Sequence, residues 1–454
     1  MKIIILNGSP KSEKSVTMQS MKYLEKNYEK HEFETVHIIK EIKKYEESRE
    51  QLEALCKKVQ EADAVLWAFP LYHTLVPSHY KRFIELIFEN YLTDYFAEKY
   101  TSVFSTSIHY ADIHAHNFMR AICEDLGMRY VEYLSHDMRD LLKEKGRREL
   151  KLFFENLLIY INEGLTTNRL FKFVNKSNFK YTPGETSKFI NTDKKIIIIT
   201  DAENEDTNLN EMIDKYKSYL KNSVEVFNLR EVDIKGACLG CCRCAAKNIC
   251  VYDDKDGYRK FLDYIIRNGD IIIFAGTIKD RYLSSCFKLY YDRSFCYNHV
   301  PFFRGKQIGY MISGKLSENQ NLRQILELYT GEDRNLIGFV TDESESSSII
   351  DEQIYTFAKM GVSYCERNYS KPDTFLGAAS TNLFSDAIAG ELGAIFTEDY
   401  KYYKANGMIK KVSFKQKIIV MVMRYLMRKE RFREKVQGKM AEHMIASHKK
   451  VIEK

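Results

Sequence analysis

Two short runs with apolar cores in each half constrain this chain more than any other feature. Residues 2–6 (KIIIL) and 64–69 (AVLWAF) have no polar alternation, the pattern of strands buried on both faces of a parallel sheet. Residues 195–200 (KIIIIT) and 270–275 (DIIIFA) repeat them about 190 residues later. Parallel strands need long crossovers, and helical stretches fill the intervals. In the first half, strands are expected at 33–39, 101–105 and 130–134 as well. Helices are expected at 18–28, 48–61, 77–90, 115–126 and 149–161. In the second half, 224–229, 307–313 and 335–340 supply the remaining strands. The expected fold class is α/β, with two tandem doubly wound parallel sheets.

Residues 172–193 are polar and carry the turn signal Thr182-Pro183-Gly184, so they read as a linker. The expected domains are therefore 1–171, 194–370 and a basic helical appendage at 371–454. Charge separates the last of these from the rest. Residues 408–454 hold 14 Lys or Arg against 4 Glu, leaving 55 basic and 59 acidic residues elsewhere in the 454. A mildly acidic body does not suit nucleic acid, and no nucleic-acid partner is expected. Within the tail, residues 418–427 (IIVMVMRYLM) are apolar and flanked by Lys415, Lys417, Arg424, Arg428 and Lys429. Packing of this helix on the acidic body or a second protomer is favoured, and contact with an anionic membrane surface is the alternative. No apolar run reaches the ~18 residues that a membrane-spanning helix requires. The first residues, MKIIILNGSPKSEK, lack the long apolar core of a secretory signal, so a cytoplasmic location is expected.

The loop after the first run is Asn7-Gly8-Ser9-Pro10-Lys11-Ser12-Glu13-Lys14-Ser15-Val16-Thr17. Ligands of doubly wound sheets sit beyond the carboxyl ends of strands, and a helix start offers free N–H groups to an anion. Gly8 permits a tight backbone, Ser9, Ser15 and Thr17 bring hydroxyls, and Lys11 or Lys14 brings charge. This suits a phosphate monoester. It is neither a P-loop nor a GxGxxG fingerprint, and the plainer reading is a capped helix with solvated lysines.

The segment resembles the phosphate loop of the NAD(P)H-dependent FMN reductase family, which has the flavodoxin-like fold. The family's Gly-Ser-Pro-Arg stands here as Gly8-Ser9-Pro10-Lys11, followed by Ser15, Val16 and Thr17. Lysine is a point charge where arginine is a fork, which loosens phosphate geometry. The family's Pro-x-Tyr loop along the flavin ring is matched by Pro70-Leu71-Tyr72-His73. The start of its next helix is matched by Val76-Pro77 and Lys81-Arg82-Phe83-Ile84. The resemblance implies FMN bound by Ser9, Pro10, Lys11, Ser15, Val16, Thr17, Pro70, Leu71, Tyr72 and His73. It adds Ser105, Thr106 and Ser107 from the third loop. Tyr72 is expected to cover a ring face, and His109 to serve as proton donor or flavin contact. His109, His114 and His116 lie close in sequence, but a flavin-contact or surface role suits them better than a metal.

The second half differs at both places. Its first loop, Thr200-Asp201-Ala202-Glu203-Asn204-Glu205-Asp206-Thr207, puts four carboxylates where the first half has its cradle, so one FMN per chain is expected. After the third run, Gly276-Thr277-Ile278-Lys279-Asp280-Arg281-Tyr282 lacks the Pro-x-Tyr signature, although Lys288, Asp292 and Arg293 resemble the family's helix. Five of the ten cysteines fall between Cys238 and Cys250. Cys238, Cys241, Cys244 and Cys250 give C-x2-C-x2-C-x5-C, which suits a [4Fe–4S] cluster and resembles iron–sulfur flavoproteins. Zinc, a redox disulfide and a vestigial loop remain open, and Cys242 is an extra thiol.

The resemblance implies an NAD(P)H-dependent FMN oxidoreductase that passes electrons to a small-molecule or protein acceptor, through the cluster where one is held. Family members pair across their flavins, so a homo-oligomer or an internal pseudo-dimer is expected. The rival readings are a non-catalytic electron carrier or redox sensor, and a membrane-surface adaptor on an inactive scaffold.

Overall fold

The structure is a computed structural model that describes residues 1–174, 177–220, 224–390, 392–411 and 413–454, apart from the side chains of 415 and 416. Two positions of the expected linker (175 and 176) and the Lys415 side chain lie outside the described residues. The chain divides into two compact units. The first comprises Met1–Phe173, Ala237–Cys242 and Glu434–Lys454; the second comprises Val174–Gly236 and Arg243–Arg433.

The first unit holds strands β1 (Lys2–Asn7), β2 (Glu32–His37), β3 (Ala64–Pro70), β4 (Tyr100–Ser107) and β5 (Arg129–Asp137). They pair in parallel in the order β2-β1-β3-β4-β5. In the second unit β6 (Ile196–Thr200), β7 (Val224–Asn228), β8 (Ile271–Thr277), β9 (Gln307–Ser313) and β10 (Leu336–Thr341) form the same order, β7-β6-β8-β9-β10. This is the flavodoxin-like arrangement, whose strand order reverses between the first and third strands and opens a crevice there. The apolar runs behave as their composition requires: Ile3–Leu6 and Ile196–Ile199 are fully buried. In the first unit, Met18, Met21 and Leu24 of the helix Val16–Asn27 and Phe153, Phe154 and Leu157 of the helix Glu144–Glu163 pack on one face of the sheet.

Two details repeat between the units beyond strand order. Tyr72 and Leu75 close a tight turn through reciprocal backbone bonds of 2.8 and 3.0 Å, with His73 and Thr74 at positive φ. Lys279 and Tyr282 close the same turn at 2.7 and 3.2 Å, with Asp280 and Arg281 at positive φ. On the helix that follows each turn lies a fully buried ion pair one helical turn long. It is Lys81–Glu85 at 2.9 Å in the first unit and Lys288–Asp292 in the second.

Three elements differ from the sequence expectation. The strand expected at 33–39 stops at His37, and a helix, Ile38–Glu47, follows. Ile38 and Ile39 look like strand residues, but Ile38, Ile42 and Tyr45 form one buried face at helical spacing. The fourth strand runs on through Ser107, so Ser105, Thr106 and Ser107 are buried strand-end residues rather than a loop. The expected linker is pinned to the second unit, where Tyr181 is buried and Asp351 accepts from the Gly184 amide at 2.9 Å. The tail is helical at Phe375–Ala389, Leu392–Ile395, Thr397–Ala405, Phe414–Arg428, Glu430–Gly438 and Met440–Glu453. On Phe414–Arg428 only part of the apolar side packs: Val420 and Met427 are buried, whereas Phe414, Ile418, Ile419, Met421, Val422 and Tyr425 are exposed. Among the described residues no helix is long and apolar enough to cross a membrane.

Candidate functional site

The site of the first unit begins where β1 ends. Asn7 accepts from the Ser9 amide at 2.9 Å, and its own side chain meets His37 at 2.7 Å. The Gly8 amide donates to the Ala68 carbonyl at 2.8 Å, which ties this loop to β3. Only glycine fits there, because a Cβ would lie 2.8 Å from the Tyr80 ring. Tyr80 in turn donates to the Leu6 carbonyl at 2.6 Å. The chain then makes a single turn at Ser12–Lys14 and enters the helix Val16–Asn27. Ser15 is its N-cap and accepts from the Met18 amide at 3.1 Å. The amides of Val16 and Thr17 open the helix, where no intrahelical carbonyl is in reach. Thr17 shares a hydroxyl hydrogen bond of 2.7 Å with Thr106 at the end of β4, so the first and third loops meet.

The second loop lies beside them. Pro70 ends β3, and the Leu71 amide donates to the Thr106 carbonyl at 3.0 Å before the Tyr72–Leu75 turn. The structure therefore brings together Ser9, Ser15, Thr17, Thr106 and the segment Pro70–His73. Pro10 follows Ser9 in the loop, and Ser9 Oγ accepts from the Lys11 amide at 3.3 Å. Serine and threonine hydroxyls, the helix-start amides of Val16 and Thr17 and a lysine make a cationic donor set. That chemistry fits a phosphate monoester and so fits FMN.

His109 stands at the rim, half-exposed, with positive φ, its amide donating to Ser107 Oγ at 2.8 Å. Its Nδ1 lies 3.0 Å from Asp112, which also accepts from Ser135 at 2.6 Å. Burial alone would raise the Asp112 carboxyl. The hydrogen bonds from Ser135 and His109 outweigh it and hold the group below the usual carboxylate range. His116 is a different kind of residue. It is buried, stacked on Tyr133 at 4.0 Å, and bonded to Ser105 at 3.0 Å. Burial holds its imidazole down at about 4 despite Asp112. His114 is buried as well, so the three histidines do not share one surface.

A titration follows from His116. The unfolded chain protonates this ring near 6.5, while the folded chain does so near 4. The stabilisation is complete above 6.5 and is lost as pH falls from there to 4, amounting to about 3 kcal/mol. Urea midpoints measured across that range are expected to fall less steeply in His116→Gln than in the parent chain. Parallel pH profiles would contradict the assignment.

Three features of the site have no signal in the local sequence. The Cys-rich segment Ala237–Cys242 belongs to this unit, and Gly240 lies against the Tyr72 hydroxyl, so that any Cβ there would clash with it. The same Cβ would lie 3.6 Å from Lys11 Cε. The helix Met440–Glu453 also belongs here: Glu442 pairs with Lys14 at 3.2 Å, and Met444 Sδ lies 3.8 Å from Lys11 Nζ. Further along, His448 meets the Met138 carbonyl at 2.8 Å. Gln437 donates to the Cys242 carbonyl at 3.4 Å, so the tail also touches the cysteine segment. Burial pushes the Cys242 thiol up, while Lys11 draws it down.

The four cysteines expected at a cluster lie on a loop that both units share. Cys238 and Cys241 lie in the first unit. In the second, Cys244 is buried with its sulfur 3.7 Å from the Phe295 carbonyl, and the Cys250 amide donates to Asp253 at 2.8 Å. Among the described residues no group of three or more His, Cys, Asp or Glu is arranged to hold a metal ion. In the second unit, the carboxylates at the cradle position serve its own backbone and hydroxyls. Asp201 accepts from Ser284, and Asp206 accepts from Thr277 at 2.9 Å and from the Glu203 amide at 2.9 Å.

Residues 1–135 match the family model described as NADPH-dependent FMN reductase. That FMN reductase match ends within β5 and takes in every element of the cradle except Ala237–Cys242 and the last helix. A search of curated proteins finds no match. Among solved structures, the chain is similar to FerB, a flavoenzyme NAD(P)H:(acceptor) oxidoreductase from Paracoccus denitrificans. The identity is 20%, covering 36% of this chain and 97% of that one, with a TM-score of 0.32. It is also similar to general stress protein 14 of Treponema denticola in complex with FMN, at 12% identity, 36% and 98% coverage and a TM-score of 0.27. An FMN-dependent NADH-azoreductase from Bacillus anthracis str. Ames Ancestor, in complex with FMN, is 15% identical, with 36% and 99% coverage and a TM-score of 0.26.

Proposed function

We propose that the first unit binds one FMN and that the chain is an NAD(P)H-dependent flavin oxidoreductase. The observation that carries this reading is the loop after β1 inside the FMN reductase match: Ser15 caps the helix that Val16 and Thr17 open, and Thr17 shares a hydroxyl hydrogen bond with Thr106 at the end of β4. FMN supplies the chemistry when bound, accepting a hydride and releasing electrons singly or in pairs. The chain's own groups do the rest. The helix start and Lys11 hold the phosphate. The Pro70–His73 segment offers backbone donors and the Tyr72 ring to the flavin edge. His109, oriented by Asp112, moves a proton at the exposed rim. The carboxylates of the second unit's first loop disfavour a second phosphate, so the stoichiometry is one flavin per chain. The acceptor is a small molecule or a protein. No step is assigned to a metal cluster.

Rapid anaerobic mixing of the FMN-loaded chain with NADH and with NADPH tests the reading. The visible flavin absorption is expected to bleach with at least one of them, and an added acceptor is expected to restore it. Flavin that stays oxidised with both nucleotides would leave an electron carrier and reject the oxidoreductase.

A further inference from the structure

We propose that the helix Phe414–Arg428 of the second unit lies in the surface of an anionic membrane, and that a cationic cavity beside it takes the phosphate of a lipid headgroup. Phe414, Ile418, Met421 and Tyr425 recur at i, i+4, i+7 and i+11, so they form one stripe, and each is at least 41% exposed. Val420 and Met427 fall on the opposite side of the helix and are buried. The helix therefore has two apolar faces, one packed and one bare. The bare face has a basic rim. Lys417 and Arg428 flank the stripe on one side, and Lys429, just past the helix end, on the other; all three are exposed. Lys429 Nζ lies 5.3 Å from the centre of the Tyr425 ring. Bulky apolar groups along the middle of a helix face, with lysine and arginine at its edges, suit the bilayer interface. The apolar side chains enter the acyl boundary while the cations stay among the headgroups.

The same helix contributes Arg424, Met427 and Arg428 to a cavity within the second unit. The charged lining of that cavity is Lys247, Lys401, Arg424, Arg428 and Arg433 against one carboxylate, Glu398. Glu398 is engaged by Lys401 at 2.7 Å, and Glu430, outside the lining, meets Arg433 at 3.3 Å. The lining keeps an excess of positive charge after both pairs are counted. Arg433 is only 9% exposed, and the Arg424 guanidinium lies 3.5 Å over the Tyr400 ring, so two of these cations are fixed by packing. Fixed guanidinium groups around an open space favour phosphate oxygens, which accept their charge-assisted hydrogen bonds. Charge also decides what covers the bare face. A second copy docked on it through a two-fold axis would set the basic rims of both chains against each other. An anionic bilayer instead offers acyl chains to the stripe and phosphates to the rim and cavity together.

This surface involves no flavin, so its test is independent of the oxidoreductase reading. The experiment is flotation of the full chain with vesicles of phosphatidylcholine alone, and of phosphatidylcholine mixed in roughly equal parts with phosphatidylglycerol. The chain is expected to float with the mixed vesicles and to remain in the dense fraction with the neutral ones. Ile418→Ser combined with Met421→Ser, both at exposed positions, is expected to weaken binding at least ~10-fold by removing apolar area from the inserted stripe. Arg428→Ser is expected to weaken it about five-fold. In Tyr425→Trp, the new indole emission is expected to shift to shorter wavelength on the mixed vesicles and to be quenched by brominated acyl chains. The chain's own tryptophan, Trp67, is fully buried in β3 and supplies a constant background. Equal binding to both kinds of vesicle, or binding that the double serine variant leaves unchanged, would overturn the proposal. So would failure to bind the mixed vesicles, whether the face then proves to pair two copies of the chain, to hold an acidic protein, or to leave a cavity that takes inorganic phosphate alone.

Discussion

Lys11→Glu is expected to weaken FMN binding by about 100-fold or more while leaving riboflavin binding nearly unchanged. The substitution removes a cation from the phosphate loop and puts an anion in its place. A pair of unit charges near a protein surface interacts by up to about 4 kcal/mol at 4 Å, so losing one attraction and adding one repulsion amounts to at least ~3 kcal/mol after screening. The fold should survive, because Lys11 is only partly buried and lies beside Met444 and the Gly240 turn. Fluorescence quenching of FMN and of riboflavin by the same protein preparation separates phosphate from ring. Equal losses for both would move the role of Lys11 from the phosphate to the ring. No loss for either would remove Lys11 from the site.

The second large effect concerns stability. Lys81 and Glu85 are 0% and 1% exposed and lie 2.9 Å apart on the helix that supports the ring-side turn. Lys81→Met removes one cation from the buried Glu85, which Arg82 also meets at 3.2 Å. Breaking a buried pair on one side costs about 3–5 kcal/mol, and the residual Arg82 contact places this case at the lower end. The chain's one tryptophan reports on the same unit: Trp67 is fully buried in β3 and stacks on Phe96 at 6.0 Å. Its fluorescence melt is expected to shift down by roughly 10 °C in Lys81→Met. The double variant Lys81→Met, Glu85→Leu should recover most of that loss, since it removes both buried charges together. A single variant that melts with the parent chain would mean that the pair is hydrated in solution.

The sequence made much of this legible for a physical reason. Strands buried on both faces cannot alternate, so runs such as Ile3–Leu6 and Ile196–Ile199 announce themselves, and the phosphate loop then follows from its place after the first run. The limits were equally physical. Ser105, Thr106 and Ser107 look like loop because hydroxyl side chains are rare in buried strands; here Ser105 bonds to His116 and Thr106 to Thr17. The helix Ile38–Glu47 was hidden because two adjacent isoleucines suit a strand as well as a helix. Gly240, Glu442 and Met444 were out of reach altogether. Their contacts join residues hundreds of positions apart, and a basic, apolar tail gives no local sign that its last helix packs on the phosphate loop. The compact cysteine spacing suits a cluster, yet spacing fixes only how far apart ligands can be, and among the described residues no group of three or more His, Cys, Asp or Glu is arranged to hold a metal ion.

Calorimetric titration of the flavin-free full chain with FMN, and in parallel with riboflavin, tests the central claim most directly. The account predicts one FMN site per chain, with riboflavin bound at least ~100-fold more weakly, as expected for two or more charge-assisted hydrogen bonds to the phosphate. Heat for neither ligand, equal affinity for both, or two FMN sites per chain would contradict it.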